Sequence, residues 1–232
     1  MKCILFSFLL ICFVLTRCGQ NAENKNTKID QIFHQFDSAN SPGCAVAVIH
    51  KGKVIHNKGY GFANLEYDIP ITSKSIFDIA SVSKQFAGLA ISMLVQEGKI
   101  KPDDDIRKYI PEVPDFGKTI TIQHLVHHTS GLRDWPSTLH AAGWRWDETF
   151  SFADILRMVK QQKELDFNPG ERYSYSNTGY NLLAVLVEKV SGISFKQWTQ
   201  ENIFQPLGMN SSAFLDDASR IIKNMAYSYS PA

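Results

Sequence analysis

The sequence predicts a mixed α/β (α+β) fold, in which one early β-hairpin is followed mainly by helices. Three observations carry that expectation. Two β-prone runs, 44–49 and 53–60, flank the turn signal Lys51-Gly52. Apolar residues then recur at helical spacing in several segments from Ser81 onwards. With 232 residues, 44% of them hydrophobic, the chain has enough apolar material for a packed core of ordinary domain size.

The chain opens with Lys2 and an apolar run from Ile4 to Leu15. That run is shorter than the roughly 20 residues that span a bilayer, but it suits the apolar region of a secretory leader. A buried strand or helix is the competing reading, and the Asn- and Gln-rich stretch from Gly19 to Lys28 argues against it. Residues 1–17 are therefore expected to be a signal peptide, placing the protein in the periplasm or cell envelope. Leu15-Thr16-Arg17-Cys18 is similar to the lipobox at which bacterial lipoproteins are cut and acylated. Arg17 departs from that pattern, so lipid attachment through Cys18 and plain cleavage nearby both stay open. Residues 18–40 read as a polar tether and the start of a first helix, with Ile32, Phe33 and Phe36 as its apolar positions.

Cys3, Cys12 and Cys18 lie in this leader, leaving Cys44 alone in the folded part. No internal disulfide framework is possible, and Cys44, inside an apolar run, reads as a small buried hydrophobe. Lys and Arg total 24 against 23 Asp and Glu, a formal charge of +1. That balance excludes the basic footprint of a nucleic-acid binder and points to a small partner.

After the Ser41-Pro42-Gly43 break comes the hairpin, and since two strands do not make a stable sheet alone, further strands are expected. The clearest helix starts at Ser81, carries Val82, Phe86, Leu89, Ala90, Met93 and Leu94, and stops at Gly98. Lys101-Pro102-Asp103-Asp104-Asp105 reads as an acidic turn, because it lacks the Gly and distal Glu of a calcium loop. Further helices are expected over 121–128, 151–163 and 179–190, and one after Ser194 that ends at Pro206-Leu207-Gly208.

Ser81 and Lys84 are three residues apart, so at a helix start their side chains share one face. The field of a helix N-terminus favours negative charge on a hydroxyl there and, with burial, disfavours a protonated lysine. Spacing alone decides nothing, since a chain of this composition supplies about one or two Ser-x-x-Lys matches by chance. Tyr175-Ser176-Asn177 adds a phenol and an amide two residues apart, which in an extended loop point the same way. Beside a lysine ammonium the anionic phenol is favoured, which makes Tyr175 a candidate base.

Four stretches together carry a resemblance: residues 77–84 ending Ser81-Val82-Ser83-Lys84, His128-Thr129-Ser130-Gly131-Leu132, Tyr175-Ser176-Asn177-Thr178-Gly179-Tyr180, and Pro206-Leu207-Gly208-Met209. In order and separation they resemble the serine β-lactamase and penicillin-binding-protein superfamily, most of all its class C β-lactamase-like branch. The likeness runs from residue 41 to the end, a β-lactamase-like domain over 41–232. It implies a β-lactamase/transpeptidase-like fold, an antiparallel sheet flanked by helices with a helical subdomain. It also implies acylation of Ser81, proton shuttling by Lys84 and Tyr175 in an order left open, and a positioning role for Asn177. No cofactor is implied, and the substrate would be an ester, a β-lactam or a D-amino-acid peptide. The alternative is a non-catalytic penicillin-binding-like sensor or an inactive fragment.

One family feature is not matched. A third motif, Lys-Thr-Gly or His-x-Gly on a late strand, has as its only counterpart His50-Lys51-Gly52 in the early hairpin turn, a coincidental match. The motif and its strands are therefore expected beyond Ala232, with this stretch as the first part of a longer protein. His124, His127 and His128 could gather imidazoles on one helical face, but no His-Glu-x-x-His pattern supports a metal site, and the resemblance makes His128 part of a structural turn. Trp135, Trp144 and Trp146 line either a substrate cleft or a satellite apolar cluster. Glycine-rich phosphate loops and the Gly-x-Ser-x-Gly elbow are absent.

Overall fold

The computed structural model describes residues 27–38, 41–145, 148–217 and 219–229. The expected leader, Cys18 and Trp146 lie outside the described residues. Two compact units emerge, one built from the chain up to Asp78 together with the segment from Ile221, the other from Ile79–Arg220.

In the first unit, helix α1 (residues 27–33) runs into a 3-10 turn at His34–Phe36. Lys51 and Gly52 both adopt positive φ, 49° and 74°. Two such residues give the type I′ turn whose twist suits a tight hairpin. Strands β1 (Cys44–His50) and β2 (Lys53–Tyr60) accordingly pair antiparallel, Cys44 opposite Tyr60 and His50 opposite Lys53, with a bulge between Val48 and Ile49. A second antiparallel pair, β3 (Phe62–Asn64) and β4 (Ile69–Pro70), was not foreseen. Tyr229 donates to Glu66 and accepts from the Leu65 N–H, tying the returning segment to the same unit. The single sheet expected from the sequence is thus two two-stranded sheets among the described residues. Cys44 is half-buried rather than buried, and burial pushes its thiol up, which keeps it protonated and inert.

Tyr60 is buried at the end of β2, where its hydroxyl donates to Asp30 Oδ1 at 2.8 Å and meets His56 Nε2 at 2.9 Å. Burial first, then the hydrogen bond to Asp30 and its charge, push the phenol up to about 12. Tyr60→Phe is expected to cost about 1 kcal/mol at neutral pH. A raised value means the bonded phenol contributes fully below the unfolded chain's value of about 10, and less as pH climbs from there toward 12. Denaturant unfolding of both proteins at about pH 8 and about pH 11 should show the gap shrinking, and a pH-independent gap would refute the coupling.

The second unit is helical. A 3-10 turn at Ala80–Ser83 leads into α2 (Lys84–Gln96), and the chain leaves it through Gly98 at φ 70°. Ser81 therefore lies in the turn ahead of the α-helix, not in its first turn as the sequence suggested. The acidic stretch is a turn as expected: Asp104 accepts from the Lys101 N–H and the Tyr109 hydroxyl, and Asp105 caps a 3-10 turn at Ile106–Lys108.

Helix α3 (Ile122–Val126) is shorter than expected and is capped by Thr121. Helix α4 (Trp135–Ala141) is new, and α5 (Phe152–Gln161) starts at a capping box formed by Ser151 and Asp154. Helix α6 (Asn177–Ser191) begins two residues before the predicted start. Helix α7 (Phe195–Thr199) is capped by Ser194 and continues as a π-helical turn at Gln200–Phe204.

Helix α6 forms the core of this unit. Leu182, Leu183, Leu186 and Val187 are fully buried, and α6 packs against α2, α3, α5 and α7. A helix surrounded in this way is apolar on nearly all sides, which explains its unbroken apolar run from Leu182 to Val187. Among the described residues no helix is long and apolar enough to cross a membrane.

Candidate active site

Three elements of the helical unit deliver the predicted side chains. The turn at Ala80–Ser83 presents Ser81, the first residue of α2 is Lys84, the loop entering α6 carries Tyr175, and Asn177 is the first residue of α6. Ala80, just ahead of Ser81, holds φ 44°, and His128 holds φ 57°. Left-handed backbone at non-glycine residues is strained, and such strain persists only where surrounding structure holds it.

All four groups converge. Lys84 Nζ donates to Ser81 Oγ at 3.1 Å and to Asn177 Oδ1 at 2.8 Å. The Tyr175 hydroxyl reaches Ser81 Oγ at 2.7 Å, and Lys84 Nζ lies 4.9 Å from the centre of the Tyr175 ring. Burial alone would push the Tyr175 phenol up, but the hydrogen bonds with Lys84 and Ser81 and the charge of Lys84 outweigh it, and the phenol sits below its ordinary value. The result is a solvent-exposed hydroxyl with an amine and a phenol both in hydrogen-bond reach. A hydroxyl so placed can lose its proton to a neighbour as its oxygen attacks an electrophile.

The His128 turn supports this loop from below. The Ser176 N–H donates to His128 Nδ1 at 3.1 Å, and the Ser174 N–H donates to the His128 carbonyl at 2.8 Å. The imidazole lies against the rings of Tyr175 and Tyr180, with centroids 4.6 and 5.0 Å away. Burial first, then the charge of Lys84, push His128 down, so it stays neutral and its Nδ1 can accept. At Gly131, φ is 74° and a Cβ would fall 2.1 Å from the Phe167 carbonyl oxygen, so only glycine fits that turn.

Among the described residues no group of histidines, cysteines and carboxylates is gathered as metal ligands would be. His124 Nδ1 accepts the Thr121 N–H at 3.2 Å, as part of the cap of α3. Trp135 and Trp144 pack with Phe150, at 4.1 and 6.5 Å between ring centroids. The same rings also line a small cavity together with Pro136, Leu139 and His140, so the cluster and the cleft of the two sequence readings coincide here.

Two residues that sequence reasoning passed over complete the surroundings. Asp134 accepts the Asn177 backbone N–H at 2.6 Å and its side-chain Nδ2 at 3.4 Å. Tyr180 places its ring 5.8 Å from Lys84 Nζ. Asp134-Trp135-Pro136 is a helix-start signature, so the residue was findable as a cap, though its carboxylate does not cap its own helix.

Comparison with known proteins places this geometry in context. The family model described as Beta-lactamase matches residues 29–231. Penicillin-binding protein 4* of Bacillus subtilis is 32% identical over 191 residues, which cover 82% of this chain and 42% of that protein. The chain thus spans less than half the length of that curated relative. Among solved structures, the octameric penicillin-binding protein homologue from Pyrococcus abyssi superposes with a TM-score of 0.73 at 32% identity, covering 85% of this chain and 46% of that one. EstCE1, described as a hydrolase with promiscuous acyltransferase activity, gives 0.68 at 25% identity, covering 82% and 52%. The fold is therefore the β-lactamase/transpeptidase-like fold expected from the sequence.

Proposed function

The chain belongs to the β-lactamase family, and on that premise we propose that it is an exported serine hydrolase working through an acyl-enzyme. One observation carries the reading: Ser81 Oγ lies 2.7 Å from the Tyr175 hydroxyl and 3.1 Å from Lys84 Nζ. Ser81 Oγ attacks the carbonyl carbon of an ester or amide, and its proton passes to the Tyr175–Lys84 pair. The pair returns that proton to the departing alcohol or amine as the bond to the carbonyl carbon breaks. Water then attacks the Ser81 ester and yields its proton to the same pair, which passes it to Ser81 Oγ as the acyl carbon–oxygen bond breaks and the acid leaves. Asn177 holds Lys84 in line through its Oδ1.

Substrates are small esters or amides, with D-amino-acid peptides and β-lactams included. All share the nucleophilic step and differ in how the pocket fits them. The names of the relatives, a penicillin-binding protein and a hydrolase with acyltransferase activity, support that range. Export rests on the leader read in residues 1–17, with lipid attachment through Cys18 and plain cleavage nearby as the two ways that leader can end.

The test is to incubate the protein with an activated ester, a chromogenic cephalosporin and a D-Ala-D-Ala peptide, and to follow its mass. A transient acyl adduct on the peptide holding Ser81, with multiple turnover of at least one compound, is the expected result. An adduct that forms and never hydrolyses would favour the sensor alternative. Absence of both adduct and turnover with all three compounds would overturn the hydrolase reading.

A further inference from the structure

We propose that Asp134 is a positioning residue of this site, which locks the Asn177 side-chain amide with its oxygen toward Lys84. The inference rests on the hydrolase reading given above. An amide has one accepting end and one donating end, and its two neighbours here have opposite demands. Lys84 Nζ can only donate, and it lies 2.8 Å from Asn177 Oδ1. The Asp134 carboxylate can only accept, and it faces Asn177 Nδ2 at 3.4 Å while taking the Asn177 backbone N–H at 2.6 Å. One orientation of the amide satisfies both neighbours, and a flip leaves two donors facing each other at Lys84 and two acceptors at Asp134.

The carboxylate is held for this task by contacts other than its own. The Trp135 N–H donates to Thr178 Oγ1 at 2.9 Å, Thr178 Oγ1 donates to the Arg133 carbonyl at 2.7 Å, and Trp135 Nε1 donates to Asn181 Oδ1 at 2.9 Å. Residues 133–135 are thereby clasped to the first turn of α6. The Arg133 guanidinium turns to Glu164 and Asp166, so it does not compete for Asp134. The titratable groups around Lys84 are Tyr175 and Tyr180 from the α6 entry, His128 from the turn after α3, and Asp134 behind Asn177. Asp134 is the anion of that set. It polarises the amide toward the lysine, and its charge favours the protonated forms of Tyr175 and His128.

Asp134→Asn keeps the shape, removes the charge, and offers its own NH2 to Asn177, which drives the flip. The acylation rate with an activated ester is expected to fall roughly tenfold to a hundredfold, the scale of one charge-assisted hydrogen bond. In an Asn177→Ala background the same change should add almost nothing, because it acts through Asn177. The rising limb of the pH–rate profile, which follows the Tyr175 phenol, should move to lower pH, since an anion favouring its protonation has gone. Full additivity in the double variant, or an unmoved limb, would overturn the proposal. A crystal structure of Asp134→Asn gives a reading that needs no turnover: retention of the Lys84 contact to Asn177 Oδ1 overturns the proposal, and its loss supports it. Failure of the parent protein to acylate at all would count against the hydrolase reading alone. Asp134→Ser, which keeps an acceptor oxygen without charge, takes its place should Asp134→Asn not fold.

Discussion

Ser81→Ala is expected to abolish the acyl adduct and to lower turnover of an activated ester by about four to six orders of magnitude, the scale of losing such a residue in a serine hydrolase. The size follows from where the proton acceptors point. Tyr175 and Lys84 both meet at Ser81 Oγ, at 2.7 and 3.1 Å, so removing that atom leaves them nothing to activate except adventitious water. Stability should hold to within about 0.5 kcal/mol, because Ser81 is exposed and its side chain fills no core space. Steady-state kinetics, with a thermal melt as control, checks both statements. Turnover by the variant equal to that of the parent would remove Ser81 from the reaction.

Much of this arrangement was legible in the sequence, and the reasons are local. Lys51-Gly52 specified the hairpin because Gly52 takes the positive φ that its turn needs at no steric cost, and Lys51 follows it under strain. Helix α2 was legible because its buried residues recur at the helical period, and α6 because its long apolar run stops at Gly192. Helix α4 was missed since it buries no residue and so carries no apolar stripe, leaving only Asp134 and Pro136 to mark its start. Strands β3 and β4, of three and two residues, are shorter than any window in which alternation can be read. Ser81, read as the start of the α-helix, sits in a 3-10 turn that runs directly into α2 at Lys84, and the apolar spacing cannot tell those two windings apart over a single turn.

Within the site, Ser81 with Lys84 and Tyr175 with Asn177 were each visible as short-range pairs. Their meeting across 94 residues was supplied by the resemblance and not by spacing. Asp134 had no such signal. Its partner is 43 residues away, and an Asp before a Trp-Pro pair announces a helix cap and nothing more.

Lys84→Met and Tyr175→Phe should each cost about a hundredfold to ten-thousandfold in acylation rate near neutral pH, the usual worth of a positioned acid or base. Their pH dependences separate the two roles. Tyr175 sits below its ordinary value because hydrogen bonds with Lys84 and Ser81 and the Lys84 charge overcome the burial that would raise it. If its phenolate takes the Ser81 proton, the rate rises with pH as that phenol ionises, and the rise lies below the ordinary phenol range. Lys84→Met withdraws the charge and the hydrogen bond, so the rise must move to higher pH. The deficit of Lys84→Met should then shrink as pH approaches about 10, where an unassisted phenol ionises. Tyr175→Phe has no group to ionise, and its deficit should persist across the same range. Rates measured from about pH 6 to about pH 10.5 for the three proteins decide the matter. Recovery of Lys84→Met in alkali assigns the first proton to Tyr175. A deficit in Lys84→Met that alkali leaves untouched makes the lysine amine itself the acceptor, with the phenol as its relay to the leaving group.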